Sequence, residues 1–146
     1  AVSGICEVPS GGGRPVGHSL VTLALRSCHL RDSHLAELDR ALGKSFQLET
    51  LDLSNNFVTD EGARSVAHMI SKRKAKPTLL ALNLASNWIA DITEAWHVNA
   101  RRELSLAHAL DAQFNLRVLY LDHNLLGRDS ALLLALHLSP LRHFHR

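Results

Sequence analysis

The residues of this chain best suited to metal chemistry are its ten histidines and two cysteines. His137, His143 and His145 lie near one another, but no fourth ligand accompanies them, so we interpret them as surface residues. Cys6 and Cys28 are too few for a disulfide scaffold and favour a reducing compartment. The sequence therefore predicts no metal and no cofactor.

The glycine run at residues 11–13 is the nearest approach to a phosphate-binding loop. Arg14 and Pro15 follow it where a P-loop has Lys-Ser/Thr, and no predicted strand precedes it. A G-x-S-x-G nucleophile elbow is also missing from the sequence. We therefore expect no intrinsic catalysis and predict that the protein is not an enzyme.

One basic cluster could contact nucleic-acid phosphates: Lys72, Arg73, Lys74 and Lys76. Cations at the end of a predicted helix also complement the helix dipole, which is the simpler interpretation. The net charge is only +2, and no aromatic residue is interleaved with the cluster to stack on bases. We therefore favour a structural role for this cluster over nucleic-acid binding.

The composition is that of one ordinary globular domain. The chain has 146 residues, of which 46% are hydrophobic and 21% charged. No apolar stretch approaches the roughly 18 residues of a membrane span, and residues 1–19 contain no secretory signal. We expect an intracellular, cytoplasmic protein without a membrane partner.

One leucine spacing, L-x-x-L-x-L-x-x-(N/C)-x-L, recurs four times in this chain. The copies begin at Leu20, Leu48, Leu79 and Leu116, so successive starts are 28, 31 and 37 residues apart. The pattern holds in all four copies, with Val58 and Ile89 in place of the last leucine in the second and third copies. The ninth position is Cys28, Asn56, Asn87 and Asn124. Such register indicates a repeat architecture with these leucines in the core and the asparagines bonded to turning backbone.

A second apolar pair follows in each copy at helical spacing. The pairs are Leu38/Leu42, Val66/Ile70, Leu106/Leu110 and Leu134/Leu138, and the third requires an insertion at about residues 90–102. Helix start signals are Asp32 or Ser33, Asp60-Glu61, and Asp129 or Ser130. Each repeat is therefore predicted to be a strand, a turn, a helix and a return loop.

These features resemble the leucine-rich repeat family. Residues 51–56 (LDLSNN), followed by residues 59–62 (TDEG), resemble its ribonuclease-inhibitor-like subclass. The resemblance implies an α/β solenoid, a short curved horseshoe of about four repeats with parallel strands on the concave face and helices on the convex face. It also implies a protein that binds other proteins and performs no chemistry.

The repeat pattern divides the chain into three parts. Residues 1–19 are a Gly/Pro-rich segment or partial cap, residues 20–138 the repeat domain, and residues 139–146 the start of a fifth repeat or a tail. Neither end resembles a polar cap. We expect a piece of a longer repeat protein, or a subunit covered by neighbours.

The positions between the leucines are the candidate binding positions, because alternate strand residues point out of the sheet. Stacking aligns the fifth, seventh, eighth and tenth positions of the motif into rows. The predicted partner-binding residues are Phe57, Trp88, Tyr120, Asp52, Asn83, Asp122, His123 and, in the insertion, Trp96. Two alternatives stay open: the following turn or the insertion covers the tenth-position row, or Trp96 packs against Trp88.

Two functions fit this arrangement. The first is a non-catalytic interaction module that binds a protein partner through its concave face and the third-repeat insertion. The second is a structural subunit of a large multiprotein, ribonucleoprotein or cytoskeletal assembly, held by its ends and convex side.

Overall fold

Strands and helices alternate along the chain in the computed structural model, which describes residues 20–42, 47–71, 78–92, 106–111 and 115–137. The elements are β1 (Thr22–Ala24), α1 (Asp32–Leu42), β2 (Thr50–Asp52), α2 (Asp60–Ser71), β3 (Ala81–Asn83), α3 (Leu106–Asp111), β4 (Val118–Tyr120) and α4 (Arg128–His137). Each strand and the helix that follows it form one repeat, numbered 1 to 4. The predicted order within each repeat is confirmed.

The four strands form one parallel sheet in the order β1-β2-β3-β4. The register pairs equivalent residues, so that Leu23, Leu51, Leu82 and Leu119 form one line across the sheet. Consecutive helices pack side by side. The result is the predicted two-layer α/β solenoid.

The core lies between the sheet and the helices and is densest in the two middle repeats. Leu51 and Leu82 of the strands are fully buried, as are Val66 and Leu106 of the helices. Each such side chain stabilises the fold by roughly 1.5–3 kcal/mol. The equivalent leucines of repeats 1 and 4 are only partly buried against this core.

A ladder of asparagine side chains joins each repeat to the one before it. The Oδ1 atom of buried Asn87 accepts the N–H of Val58 at 3.1 Å, and its Nδ2 donates to the carbonyls of Leu53 and Leu84 at 3.0 Å each. Asn56 and Asn124 make the equivalent bonds. The prediction that these amides satisfy the turning backbone is confirmed.

Aspartates at the start of two helices make a second connection between repeats. Asp32 accepts the Thr59 N–H at 2.9 Å and the Thr59 hydroxyl at 2.7 Å. Asp60 accepts the N–H groups of Ala90 and Asp91 at 2.7 and 2.9 Å. Each carboxylate therefore lies at a helix N-terminus and also holds the loop of the next repeat, a role that the sequence analysis did not predict.

Helix positions agree closely with the sequence. Helices α1 and α2 begin at the predicted aspartates, whereas α4 begins at Arg128, one residue before Asp129. In repeat 3, Leu106 and Leu110 are buried on α3, at the positions that the sequence pattern assigns to the helix.

Several predicted features lie outside the described residues: the N-terminal segment (1–19), the basic cluster (72–76), Trp96 with most of the insertion, and residues 139–146. None of the helices in the described part of the chain combines the length and the apolar character needed to cross a bilayer.

The asparagine ladder predicts a large loss of stability for Asn87→Ala. The substitution leaves the buried Val58 N–H without its partner and removes one of the two amide bonds to the Leu53 carbonyl, which Asn56 still contacts, at a cost of about 1–3 kcal/mol. Urea unfolding followed by circular dichroism measures this. As the control, Asn83→Ala on the exposed sheet removes one local bond and should cost less than about 1 kcal/mol. Equal losses in the two variants would contradict the ladder.

Close packing at Gly62 predicts that alanine is not tolerated there. A Cβ atom would lie 2.7 Å from Val58 Cγ1 and would also meet the Asp32 carboxylate. Gly62→Ala should therefore destabilise the protein by about 1–3 kcal/mol. Gly127 has no heavy atom within 4 Å of the same position, so Gly127→Ala, at the N-cap of α4, meets no steric clash and should cost less than about 1 kcal/mol. Two indistinguishable unfolding midpoints would contradict this packing.

Candidate protein-interaction surface

The fifth motif positions form a row across the sheet, as predicted. Register aligns Ala24, Asp52, Asn83 and Tyr120, one residue from each strand. We call this line the sheet row. Tyr120, in repeat 4, is its large exposed side chain, with 52% of its surface accessible.

Two members of the sheet row also stabilise the turn that follows their strand. Asp52 Oδ1 accepts the Ser54 N–H at 2.9 Å, and Asn83 Oδ1 accepts the Ala85 N–H at 3.0 Å. The Arg26 guanidinium donates to Asp52 Oδ2 at 2.8 Å. Part of the hydrogen-bonding capacity of Asp52 and Asn83 is therefore used within the protein.

The charge on Asp52 is stabilised by its neighbours. Burial by itself would raise the pKa of the carboxyl, but hydrogen bonds from Ser54 and the ion pair with Arg26 outweigh it, so the pKa lies below its ordinary value. The same contact raises the pKa of Arg26. Asp52 and Arg26 therefore form an ion pair within the chain that joins repeats 1 and 2.

The seventh motif positions differ from the expectation of an outward-pointing row. Arg26 and Asp122, in the outer repeats, are exposed, but Ser54 and Ala85 in the middle repeats are buried. Short side chains flanked by a neighbouring repeat on each side leave little surface accessible.

The eighth motif positions share an uncommon backbone conformation. Ser27, Asn55, Ser86 and His123 all have φ of 55–56°, in the left-handed region, where the chain turns after each strand. We call them the polar row. The Asn55 amide donates to the Ser27 hydroxyl at 2.8 Å.

The tenth motif positions form a row on the loops that follow the strands, and not on the sheet itself. We call this row, comprising His29, Phe57, Trp88 and Leu125, the loop row. The exposed fractions are 38% for Phe57, 60% for Trp88 and 68% for Leu125. Backbone bonds fix its spacing, since the N–H of each residue from repeats 2 to 4 donates to the preceding repeat at 2.8 Å.

Ring contacts order the first part of the loop row. The Phe57 ring centroid lies 5.8 Å from that of His29 and 5.8 Å from that of Trp88, the latter in an edge-to-face arrangement. The exposed Arg31 guanidinium lies 5.8 Å from the centroid of Phe57, within cation–π range. The sequence analysis missed Arg31, which is placed there by the loop and has no recurring signal.

The candidate residues thus fall into two neighbouring groups. Phe57 and Trp88 lie in the loop row, while the others cluster on and after the strands: Asp52, Asn83, Tyr120, Asp122 and His123. Trp96 lies outside the described residues. Within the described ranges, no three His, Cys, Asp or Glu side chains are grouped as metal ligands would be.

Comparison with known proteins agrees with this architecture. The family model described as Leucine Rich repeat matches residues 44–67 and 75–92, which overlap the second and third repeats. The fold is a leucine-rich repeat solenoid. No curated protein sequence matches the chain.

A solved structure shares the fold of this solenoid at low sequence identity. It is the tropomodulin C-terminal domain from a structural genomics study of Caenorhabditis elegans. The TM-score is 0.58 at 18% identity, and the match covers 82% of this chain and 66% of the other. The likeness concerns the fold.

The Asp52 ion pair predicts a pH-dependent contribution to stability. Because the pKa is lowered on folding, the contribution is present above the unfolded value of about 3.9 and is lost as pH falls through the folded value. Asp52→Asn, which keeps the turn bond as Asn83 does, should be less stable than the wild type at pH 7. Urea unfolding at pH 7, 5, 3 and 2 should show the difference shrinking toward zero.

A substitution at Arg26 separates the contribution of the ion pair from that of the Ser54 hydrogen bonds. Arg26→Gln removes the cation but keeps the Asp52 carboxylate and its bond to Ser54. Its free energy of unfolding at pH 7 should therefore lie between those of the wild type and Asp52→Asn. A difference between wild type and Asp52→Asn that persists unchanged at pH 2 would contradict the assignment.

Proposed function

We propose that the protein is a non-catalytic interaction module that binds a protein partner through its loop row and the repeat-4 end of the sheet row. Leucine-rich repeat domains in general mediate protein–protein interactions and are in general non-enzymatic. The observation that carries the proposal is the exposure of Phe57, Trp88 and Leu125 on successive loops, together with that of Tyr120 on β4. Protein partners are therefore the expected class of ligand.

The chemistry of this surface supports a protein partner. Exposed aromatic side chains offer large contact areas with few rotatable bonds, and Trp and Tyr are enriched among binding hot spots. The neighbouring polar row supplies hydroxyl, amide and imidazole groups at the rim. An apolar centre with a polar edge is the usual anatomy of a protein interface.

We also propose that the repeats belong to the ribonuclease-inhibitor-like subclass and occupy residues 20–138. The full α-helices of repeats 1 and 2, with 11 and 12 residues, support this subclass. Trp96, in the insertion, is proposed as a further anchor.

A second candidate function, a structural subunit held by its end and convex side, is favoured by the surface of α4. Leu132 and Leu136 are one helical turn apart and are 59% and 56% exposed. The corresponding positions hold Arg64 and His68 on α2. An apolar helix face of this kind fits packing against another subunit.

Paired substitutions distinguish the two candidates. Trp88→Ala with Tyr120→Ala should remove the partner captured by the tagged chain from its native lysate, weakening binding by at least about tenfold, because each substitution removes a large exposed contact surface. Leu132→Glu with Leu136→Glu should leave that partner bound. Capture is measured by quantitative mass spectrometry.

The opposite pattern would contradict the first candidate and support the second. All four substitutions are at exposed positions, so thermal unfolding should match that of the wild type and exclude misfolding as the cause. Charge reversal at Lys72, Arg73 and Lys74 tests the convex-side or nucleic-acid alternative in the same assay.

A further inference from the structure

The side chains of the loop row are regularly spaced from repeat to repeat, and a cation lies at the repeat-1 end of the row. The two ring-to-ring spacings along the loop row are 5.8 Å each. In an extended β-strand, alternate side chains lie on the same face roughly 6.4–6.8 Å apart, within about 1 Å of this spacing. An extended segment crossing the repeats can therefore place successive alternate side chains against successive members of the row.

The ring spacing alone does not select an extended partner, because the side chains on one face of an α-helix recur about every 5.4 Å, which is also close to it. The polar row decides between them. The side chains of Ser27, Asn55 and Ser86 are uncharged hydroxyl and amide groups that can donate and accept hydrogen bonds, and the bond between Asn55 and Ser27 uses one amide hydrogen and one acceptor position of this set. A helix has already bonded its backbone internally, whereas an extended segment brings peptide N–H and C=O groups that need such partners.

The charged end is supplied by Arg31 beside Phe57. Among the described residues no carboxylate forms an ion pair with its guanidinium. The exposed guanidinium lies next to an aromatic ring at the repeat-1 end of the row. Charge complementarity places an acidic group of the partner at this end.

From these observations, which rest on the proposed function, we propose that the loop row binds an extended partner segment with alternating apolar side chains and an acidic residue at its repeat-1 end. The apolar side chains contact Phe57, Trp88 and Leu125, the backbone of the segment contacts the polar row, and the carboxylate pairs with Arg31.

The first test uses a phage-displayed library of random 12-residue peptides, selected on the full chain and counter-selected on Trp88→Ala. Enriched peptides should have apolar residues at every second position and Asp or Glu at one end. Apolar residues spaced by three and four, as on a helix, would overturn the extended geometry, and no Trp88-dependent peptide would overturn the proposal.

The second test is a charge exchange with a synthetic copy of an enriched peptide, followed by fluorescence anisotropy. Arg31→Glu should weaken binding by about tenfold or more, and replacing the peptide acid by Lys should restore affinity for that variant. Arg117→Glu, at an exposed arginine before β4, is the matched control and should change affinity less than about twofold. Equal effects of the two reversals would overturn the assigned charge pair.

The two proposals fail in different ways. Lysate capture that depends on Trp88 and Tyr120, together with no Trp88-dependent peptide, would refute the extended segment and leave the interaction module standing. Capture and peptide selection that both ignore these residues would refute both proposals.

Discussion

The hydrogen bonding of the asparagine ladder is the constraint on which the rest of the solenoid depends. Where each strand turns, its backbone leaves N–H and C=O groups inside the protein, and these cannot reach water. Asn56, Asn87 and Asn124 satisfy these groups in their own repeat and in the preceding one. Because every amide joins two repeats, the same bonds that make the turn possible also set the stacking register.

The surface follows from that register. Once the turns are stacked, equivalent side chains become neighbours even though 28 to 37 residues separate them along the chain. Phe57 contacts both His29 and Trp88 in this way. The core leucines can therefore stay constant from repeat to repeat while the loop positions vary. A binding surface can be built on the loops without disturbing the core.

The interior and the binding surface use polar side chains differently. Asp32, Asp60 and the ladder asparagines direct their oxygens to backbone N–H groups of adjacent repeats, so their loss removes bonds between repeats and, at Asn87, leaves the buried Val58 N–H without its partner. Phe57, Trp88 and Tyr120 are exposed, so their truncation leaves no core cavity. This difference allows binding and stability to be tested by separate substitutions.

The sequence by itself determined the repeat architecture, because leucine and asparagine positions recur wherever a buried site recurs. It also predicted the alignment of Asp52 with Asn83 and Tyr120, since a parallel register of identical repeats leaves no other choice. Only the tertiary structure decided that Trp88 lies on the loops beyond the sheet, that Ser54 is buried and that Arg31 lies over Phe57. These outcomes depend on turn geometry and on neighbouring repeats, and a single repeat's spacing does not encode contacts that form only when repeats stack.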